Sequence, residues 1–165
     1  MNSLQSRTTV NAELDQLTQA FFDAVSFEQG DQPRYHRIHE LFVEQGLLIK
    51  NSGQVPEIST LTAFIAPRQA RVNGGDLTRF HETELSEETQ VFGNVAHRFS
   101  TYAKSGILKG VGFEAKGMIS TQFMRTPQGW RMSSMAWDDE RPGLVIPVDA
   151  ESSESSPTRI AEARY

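Results

Sequence analysis

Four consecutive segments of alternating side chains between residues 77 and 138 most constrain what this chain can fold into. We predict strands at Leu77–Ser86, Gln90–Lys104, Phe113–Thr126 and Trp130–Asp138, because side chains of different character alternate along them with a period of two. Two of these strands have 14 or 15 residues, whereas strands usually have about five or six. Strands of that length must bend or coil, and a bent antiparallel sheet has a hollow side.

The segments before these strands are predicted to form helices able to lie in that hollow. Asn11 is a suitable N-cap, and apolar residues then recur every three or four positions from Leu14 to Val25, which is typical of an amphipathic helix. Further along, we predict a short helix over 33–40, a strand over 42–50 and a helical segment over 58–66 that Pro67 ends or kinks. Helices followed by a long antiparallel meander are typical of the α+β class.

Length and composition favour one folded domain with polar ends. We predict a single domain over residues 10–148, a flexible segment over 1–9 and a disordered tail over 149–165. The tail is rich in Ser and Glu, so it cannot bury enough apolar surface to offset the loss of chain entropy.

The charge and residue usage exclude several classes of function. A formal net charge of −5 argues against nucleic acid or an anionic membrane as the main partner, because phosphate binding needs clustered Lys and Arg. The absence of Cys excludes thiol nucleophiles, thiolate metal sites and disulfides. There is no apolar signal core and no apolar run of about 18 residues, so a soluble, cytoplasmic protein is expected.

Three segments carry a family resemblance: AFFDA at 20–24, LFVEQG at 41–46 and QFMRTPQGWRM at 122–132. With them the chain resembles the nuclear transport factor 2-like (NTF2-like) superfamily over roughly residues 10–140. The resemblance implies a cystatin-like α+β cone, in which a curved antiparallel sheet wraps around N-terminal helices. The superfamily includes ketosteroid isomerases, scytalone dehydratase and SnoaL-type polyketide cyclases, so the fold alone does not imply one function.

The resemblance argues against the mechanism of one of these enzymes. With the chain aligned on Leu41-Phe42, the general-base aspartate of ketosteroid isomerases falls at Lys50. The tyrosine that binds the oxyanion falls near Phe21, and the protonated acid falls near Thr121. None of the three residues is retained, so steroid isomerisation by that mechanism is not expected.

Two histidines are the predicted proton carriers. Odd-numbered positions of the first and second long strands carry the more apolar side chains, so these positions, with His81 and His97, are predicted to face inward. Imidazole titrates near pH ~6.5, and two inward histidines on neighbouring strands would form an acid–base pair. Asp138 would orient a histidine or act as a base, in a loose echo of scytalone dehydratase. For the two histidines, the alternative is that one is a core histidine and the other is solvated. For Asp138, the alternative is an ordinary charged strand end.

The remaining candidates are the walls of the expected ligand pocket. These residues are Phe21, Tyr35, Val95, Phe99 and Trp137. We predict neither a cofactor nor a metal site, because His36 and His39 have ligand spacing but the sequence places no third ligand beside them.

Together these features predict a small-molecule-binding domain with lyase, isomerase or cyclase chemistry on a small apolar or aromatic ligand. The alternative is a non-catalytic dimerisation or binding module whose cavity is filled by its own side chains, and 10 Phe and 5 Met residues are compatible with it. A pocket of about 300 Å3 or more would favour the first interpretation. We predict a homodimer through the convex sheet face, which carries Phe92, Met118 and Met124.

Overall fold

The computed structural model describes the backbone of residues 3–148 and the side chains of residues 7–148. Its helices are α1 (Ser3–Val25), α2 (Ile38–Leu41) and α3 (Leu61–Asn73), with a 3-10 turn at Tyr35–Arg37. Its strands are β1 (Phe42–Lys50), β2 (Glu57–Thr60), β3 (Leu77–Phe92), β4 (Val95–Leu108), β5 (Val111–Thr126) and β6 (Gly129–Asp139). The predicted disordered tail, residues 149–165, lies outside the described residues.

The strands of the described chain form one sheet in the order β2-β1-β6-β5-β4-β3. Neighbouring strands are antiparallel except β1 and β6, which are parallel, so the sheet is mixed. Breaks in register interrupt the pairs β1–β6, β3–β4 and β5–β6, and such bulges bend strands. The predicted α+β fold, with helices inside a curved sheet, is confirmed.

Helix α1 is the central element of the core. Its Leu14, Phe21 and Phe22 are at most 3% exposed, and they belong to the single apolar cluster formed with the inner face of the sheet. The helix begins at Ser3 and not at the predicted N-cap Asn11, because Val10 extends its buried face toward the N-terminus.

Helix α3 continues through Pro67 to Asn73, although Pro67 was predicted to end or kink it. The missing proline N–H leaves the carbonyl of Ala63 without its helical donor. Both residues are exposed, so water is able to hydrogen-bond with that carbonyl. The helix begins with Thr60 as its N-cap, whose hydroxyl accepts a hydrogen bond from the Ala63 N–H at 3.2 Å.

Strand β3 crosses the position where a turn was predicted, at Glu87–Glu88, and ends only at Phe92. The two glutamates pair with Ser100 and Phe99 of β4. The chain turns instead at Gly93, whose φ of 56° is a left-handed conformation that favours glycine. A register break between Glu84 and Ser86 also exchanges the faces of β3, so inward positions are even before it and odd after it. These two features change which side chains reach the hollow of the sheet.

Candidate ligand-binding cavity

A cavity of about 210 Å3 lies between α1, α3 and the inner face of the sheet. That volume suits a molecule with a single ring. Most of its walls are apolar. The apolar lining residues are Phe21, Val25, Phe64, Leu77, Phe80, Leu108, Phe113, Ile119, Met135 and Trp137. The cavity is smaller than the roughly 300 Å3 that would favour a small-molecule site over a self-filled core.

Polar side chains reach this cavity from five different elements. They are Tyr35, Lys50, Arg68, Arg71, Glu82 and Lys104. A few polar groups converging on an otherwise apolar cavity are the usual features of a ligand site, because they orient the ligand while the walls exclude water.

Glu82 carries the carboxyl group that reaches this cavity. It lies on the inner face of β3, directly opposite Lys104 of β4. Burial raises the pKa of Glu82 to about 7, although the positive charges of Lys104 and Arg68 act in the opposite direction. Its backbone N–H donates to Ser26 Oγ at 3.0 Å, and no described side chain donates a hydrogen bond to its carboxyl group. Near neutral pH the group therefore exists in both protonation states.

Lys104 is held in place by Asp139 of β6. Its Nζ donates to Asp139 Oδ1 and Oδ2 at 2.8 and 2.9 Å. The hydroxyl of the fully buried Tyr102 donates to the same carboxylate, and burial raises the pKa of Tyr102 above its ordinary value. Tyr102 reaches Asp139 across Gly117 of β5, where any Cβ would overlap the phenol ring. This cluster neutralises the charge of Lys104 before any ligand binds.

Arg68 of α3 has a different environment. Its Nη1 donates to the Phe64 carbonyl at 2.9 Å, and its guanidinium lies 3.6 Å from the centre of the Phe64 ring. Burial lowers the pKa of Arg68, with Tyr35 acting in the opposite direction. Burial also raises the pKa of Tyr35 to about 12, so its hydroxyl is neutral at physiological pH and is able to donate a hydrogen bond.

Comparison with solved structures identifies this arrangement of sheet and helices. An NTF2-like superfamily protein from Salmonella enterica serovar Typhimurium superposes with a TM-score of 0.68, at 15% identity, over 91% of this chain and 99% of that chain. An NTF2-like protein with a cystatin-like fold from Novosphingobium aromaticivorans gives 0.62 at 18% identity, over 82% of this chain and 86% of that chain. A protein of unknown function from Mycobacterium tuberculosis gives 0.69 at 12% identity, over 92% of this chain and 88% of that chain.

This chain has the NTF2-like fold. No family model and no curated protein matches its sequence. At identities of 10–18% the similarity to the solved structures shows the fold and not the chemistry of the cavity.

The predicted inward orientation of His81 and His97 is wrong. Both are exposed and lie on the outer face of the NTF2-like sheet, where His81 pairs with Ser105 and His97 with Gln90 and Gln122. The cavity therefore contains neither imidazole. The inner face of β4 carries polar residues instead, because their hydrogen bonds are satisfied inside the cone.

The predicted wall residues divide between the two faces of the sheet. Phe21, Tyr35 and Trp137 line the cavity, where their contact with a ligand stays a prediction. Val95 and Phe99 do not: they are 58% and 50% exposed on the outer face, on the same strand face as His97. The error has the same cause for both, because the odd positions of β4 were assigned to the inside on their apolar character and residues two apart share a strand face.

Asp138 is also on the outer face, opposite Met118 of β5, so it does not reach the cavity, and its ion-pair partner is Arg141 and neither histidine. It accepts a hydrogen bond from Arg141 Nη1 at 2.6 Å, and this bond lowers the pKa of Asp138. The neighbouring carboxylate of Asp139 binds Lys104, which lines the cavity. The alternative interpretation, an ordinary charged strand end, describes Asp138 correctly.

Sequence reasoning missed Glu82, Arg68 and Lys104. The opposite charges of Glu82 and Lys104 indicate a cross-strand pair only when the turn is placed at Gly93 and the register break between Glu84 and Ser86 is also known. Arg68 lies one helical turn after Phe64, a spacing that was visible once Pro67 was allowed inside the helix.

A second buried polar cluster near the other end of α1 is saturated with internal contacts. Arg98 is 1% exposed and forms ion pairs with Asp15, Glu84 and Glu87. Burial raises the pKa of Glu84, and hydrogen bonding by Ser100 at 2.6 Å acts in the opposite direction. The cluster joins α1 to β3 and β4.

The described residues contain neither a three-ligand metal site nor a membrane-spanning helix. Between residues 7 and 148 no group of three His, Asp or Glu side chains is arranged to hold a metal ion, and His36 and His39 are both exposed. In the described part of the chain, no helix is both long enough and apolar enough to cross a bilayer.

Proposed function

We propose that the cavity binds a small apolar or aromatic molecule and that Glu82 exchanges a proton with it. The observation that carries this proposal is a carboxyl group with a pKa of about 7 among apolar walls. A general base is most effective when its pKa lies near the working pH, because it is then both ionised and basic. Glu82 takes the place of the two histidines as the proton carrier.

The supporting groups suit a reaction that begins by removing a proton beside a carbonyl group. Glu82 would take the proton, and the electron pair would move to the carbonyl oxygen to give an enolate. The neutral hydroxyl of Tyr35, which lines the same cavity, is a donor for that oxygen. Returning the proton to another carbon gives an isomerisation, and expelling a leaving group gives a dehydration or other elimination.

A chemical probe tests this proposal without knowledge of the natural substrate. Benzisoxazole opens when a base takes its ring C–H proton: the electron pair forms a nitrile, the N–O bond breaks, and the phenolate product takes a proton from water. We expect the wild-type protein to catalyse the opening, with a rate that rises with pH through about 7 as Glu82 ionises. Glu82→Gln should lower the rate about a hundredfold or more.

The matched control is Glu88→Gln, on the same strand but exposed and facing outward. This variant should retain the wild-type rate. Equal rates in the wild type and Glu82→Gln would remove Glu82 from the chemistry. If, in addition, nuclear magnetic resonance detects no single-ring compound in the cavity, the alternative of a non-catalytic module is correct.

We also propose that two copies of the chain pair through the outer face of the sheet. Phe92, Val95 and Phe99 are 86%, 58% and 50% exposed there, beside Met124 at 39%. An apolar face of this kind is costly in water and is typical of a symmetric interface. The two outward side chains that were misassigned to the pocket therefore enlarge the face predicted from Phe92, Met118 and Met124. A monomer mass in light scattering at micromolar concentration would contradict the proposal.

A further inference from the structure

We infer that the ligand of this cavity is a single-ring molecule that carries a carboxylate, and that Arg68, with Lys50 and Arg71 beside it, binds that carboxylate. The inference rests on the proposed binding function of the cavity. It adds the charge and the chemical class of the ligand.

The side chains that line the cavity carry more positive than negative charge. Four basic side chains, Lys50, Arg68, Arg71 and Lys104, line the cavity, and Asp139 neutralises the last of them. The other three stand against one acidic lining residue, Glu82. The chain as a whole has a net charge of −5. A positive lining in an acidic protein favours an anionic ligand, because the local potential attracts it and the remaining surface does not.

Three of these cations have no carboxylate partner among the described residues. Lys104 is paired with Asp139. Among the described residues, no carboxylate lies within 4.0 Å of the charged atoms of Lys50, Arg68 or Arg71. The nearest acidic influences on Arg68 are Glu57 and Glu82, which act at longer range.

Arg68 is partly buried and has few hydrogen-bond acceptors among the described residues. Partial burial of a guanidinium costs free energy unless an anion or good hydrogen-bond acceptors satisfy it. Its Nη1 reaches the Phe64 carbonyl, and its other N–H groups have no acceptor in the described chain. A carboxylate would accept two parallel hydrogen bonds from a guanidinium, which is the most directional contact that Arg forms.

The apolar walls define the rest of the ligand. Phe64 and Trp137 meet edge to face with their ring centres 6.0 Å apart, and Phe21 lines the same cavity. A volume of about 210 Å3 leaves room for one ring beside the carboxylate. The ligand class is therefore a small aromatic or alicyclic carboxylic acid.

The binding of such an acid should weaken as the pH rises through about 7. Ionised Glu82 repels the carboxylate, whereas protonated Glu82 does not. The other charged or titratable groups that face or adjoin the cavity are Tyr35, Lys50, Glu57, Arg68, Arg71, Tyr102, Lys104 and Asp139. Glu82 is therefore the group whose change of charge is expected to set this pH dependence.

The test is isothermal titration calorimetry with benzoate and its neutral isostere benzamide. Wild-type protein at pH 6 should bind benzoate at least about tenfold more tightly than benzamide. Arg68→Gln should abolish that difference by weakening benzoate alone, and Arg68→Lys should retain part of it. Arg37→Gln, an exposed arginine away from the cavity, is the matched control and should change neither affinity.

The outcomes separate this inference from the proposed function. Equal affinities for benzoate and benzamide in the wild type would overturn the inference and leave the binding function standing. Benzoate preference retained in a folded Arg68→Gln protein would also overturn it. Binding of neither compound would overturn both. If Arg68→Gln does not fold, Arg68→Lys decides the matter, because an unchanged preference in that variant contradicts the bidentate contact.

Discussion

Replacing Glu82 with Gln should remove a pH-dependent loss of stability that this residue imposes on the protein. Its ordinary pKa of 4.5 is raised to about 7 in the folded state by burial. Below pH 4.5 both the folded and the unfolded chain hold the proton. As the pH rises from about 4.5 to 7 the unfolded chain releases its proton first, so the free energy of unfolding falls until the folded group also ionises.

The magnitude follows from the two pKa values. The interval from 4.5 to about 7 is about 2.5 pH units, and each unit corresponds to about 1.4 kcal/mol. Glu82 should therefore cost the fold about 3 kcal/mol above pH 7 relative to pH 4. Gln has a similar shape and does not titrate, so Glu82→Gln should gain about that much on the wild type across the same range.

Urea unfolding followed by tryptophan fluorescence measures the difference, because Trp130 is 2% exposed in the folded protein. Both proteins should be unfolded at a series of pH values between 4 and 8. Glu88→Gln, on the outer face of the same strand, should differ from the wild type by less than about 0.5 kcal/mol throughout. Parallel curves for the wild type and Glu82→Gln would refute the reasoning, since they would show that burial does not perturb this carboxyl group.

Three further predictions concern the framework and the outer face. Gly117→Ala should lower stability by about 1–3 kcal/mol in thermal unfolding, because its Cβ overlaps Tyr102 and the Asp138 carbonyl, whereas Gly112→Ala on the same strand should have little effect. Arg98→Met should cost about 3 kcal/mol in urea unfolding because it leaves the partly buried Glu84 carboxylate unpaired, and Arg125→Met on the surface should not. Phe99→Glu should convert a dimer to a monomer in light scattering without loss of helical circular dichroism, and an unchanged mass would exclude Phe99 from the interface.

Much of the fold was predictable because it depends on local patterns. The bounds of β1, Phe42–Lys50, match the prediction, as does the end of β5 at Thr126. Alternation along the strands and the three- and four-residue spacing in α1 are set by which face each residue buries. The resemblance to NTF2-like proteins used the same segments and led to the same architecture.

The site was harder to predict because it depends on contacts between distant residues. Arg98 is buried against Asp15, 83 residues earlier in the chain, and no local pattern shows that an arginine there is satisfied. An inward strand face that carries Arg98, Ser100 and Tyr102 looks like a solvent face in the sequence. Once that face was taken to be outward, the histidines were assigned to the cavity and Glu82 was not.

The alternation of residues across this single sheet has an evolutionary consequence. On β4, Ser100 and Tyr102 belong to the interior, while His97 and Phe99 belong to the exterior. A mutation in one set leaves the side chains of the other set in place. The proposed ligand preference and the proposed self-association would therefore be able to diverge independently among descendants of one ancestral gene, although a single layer of backbone would serve both.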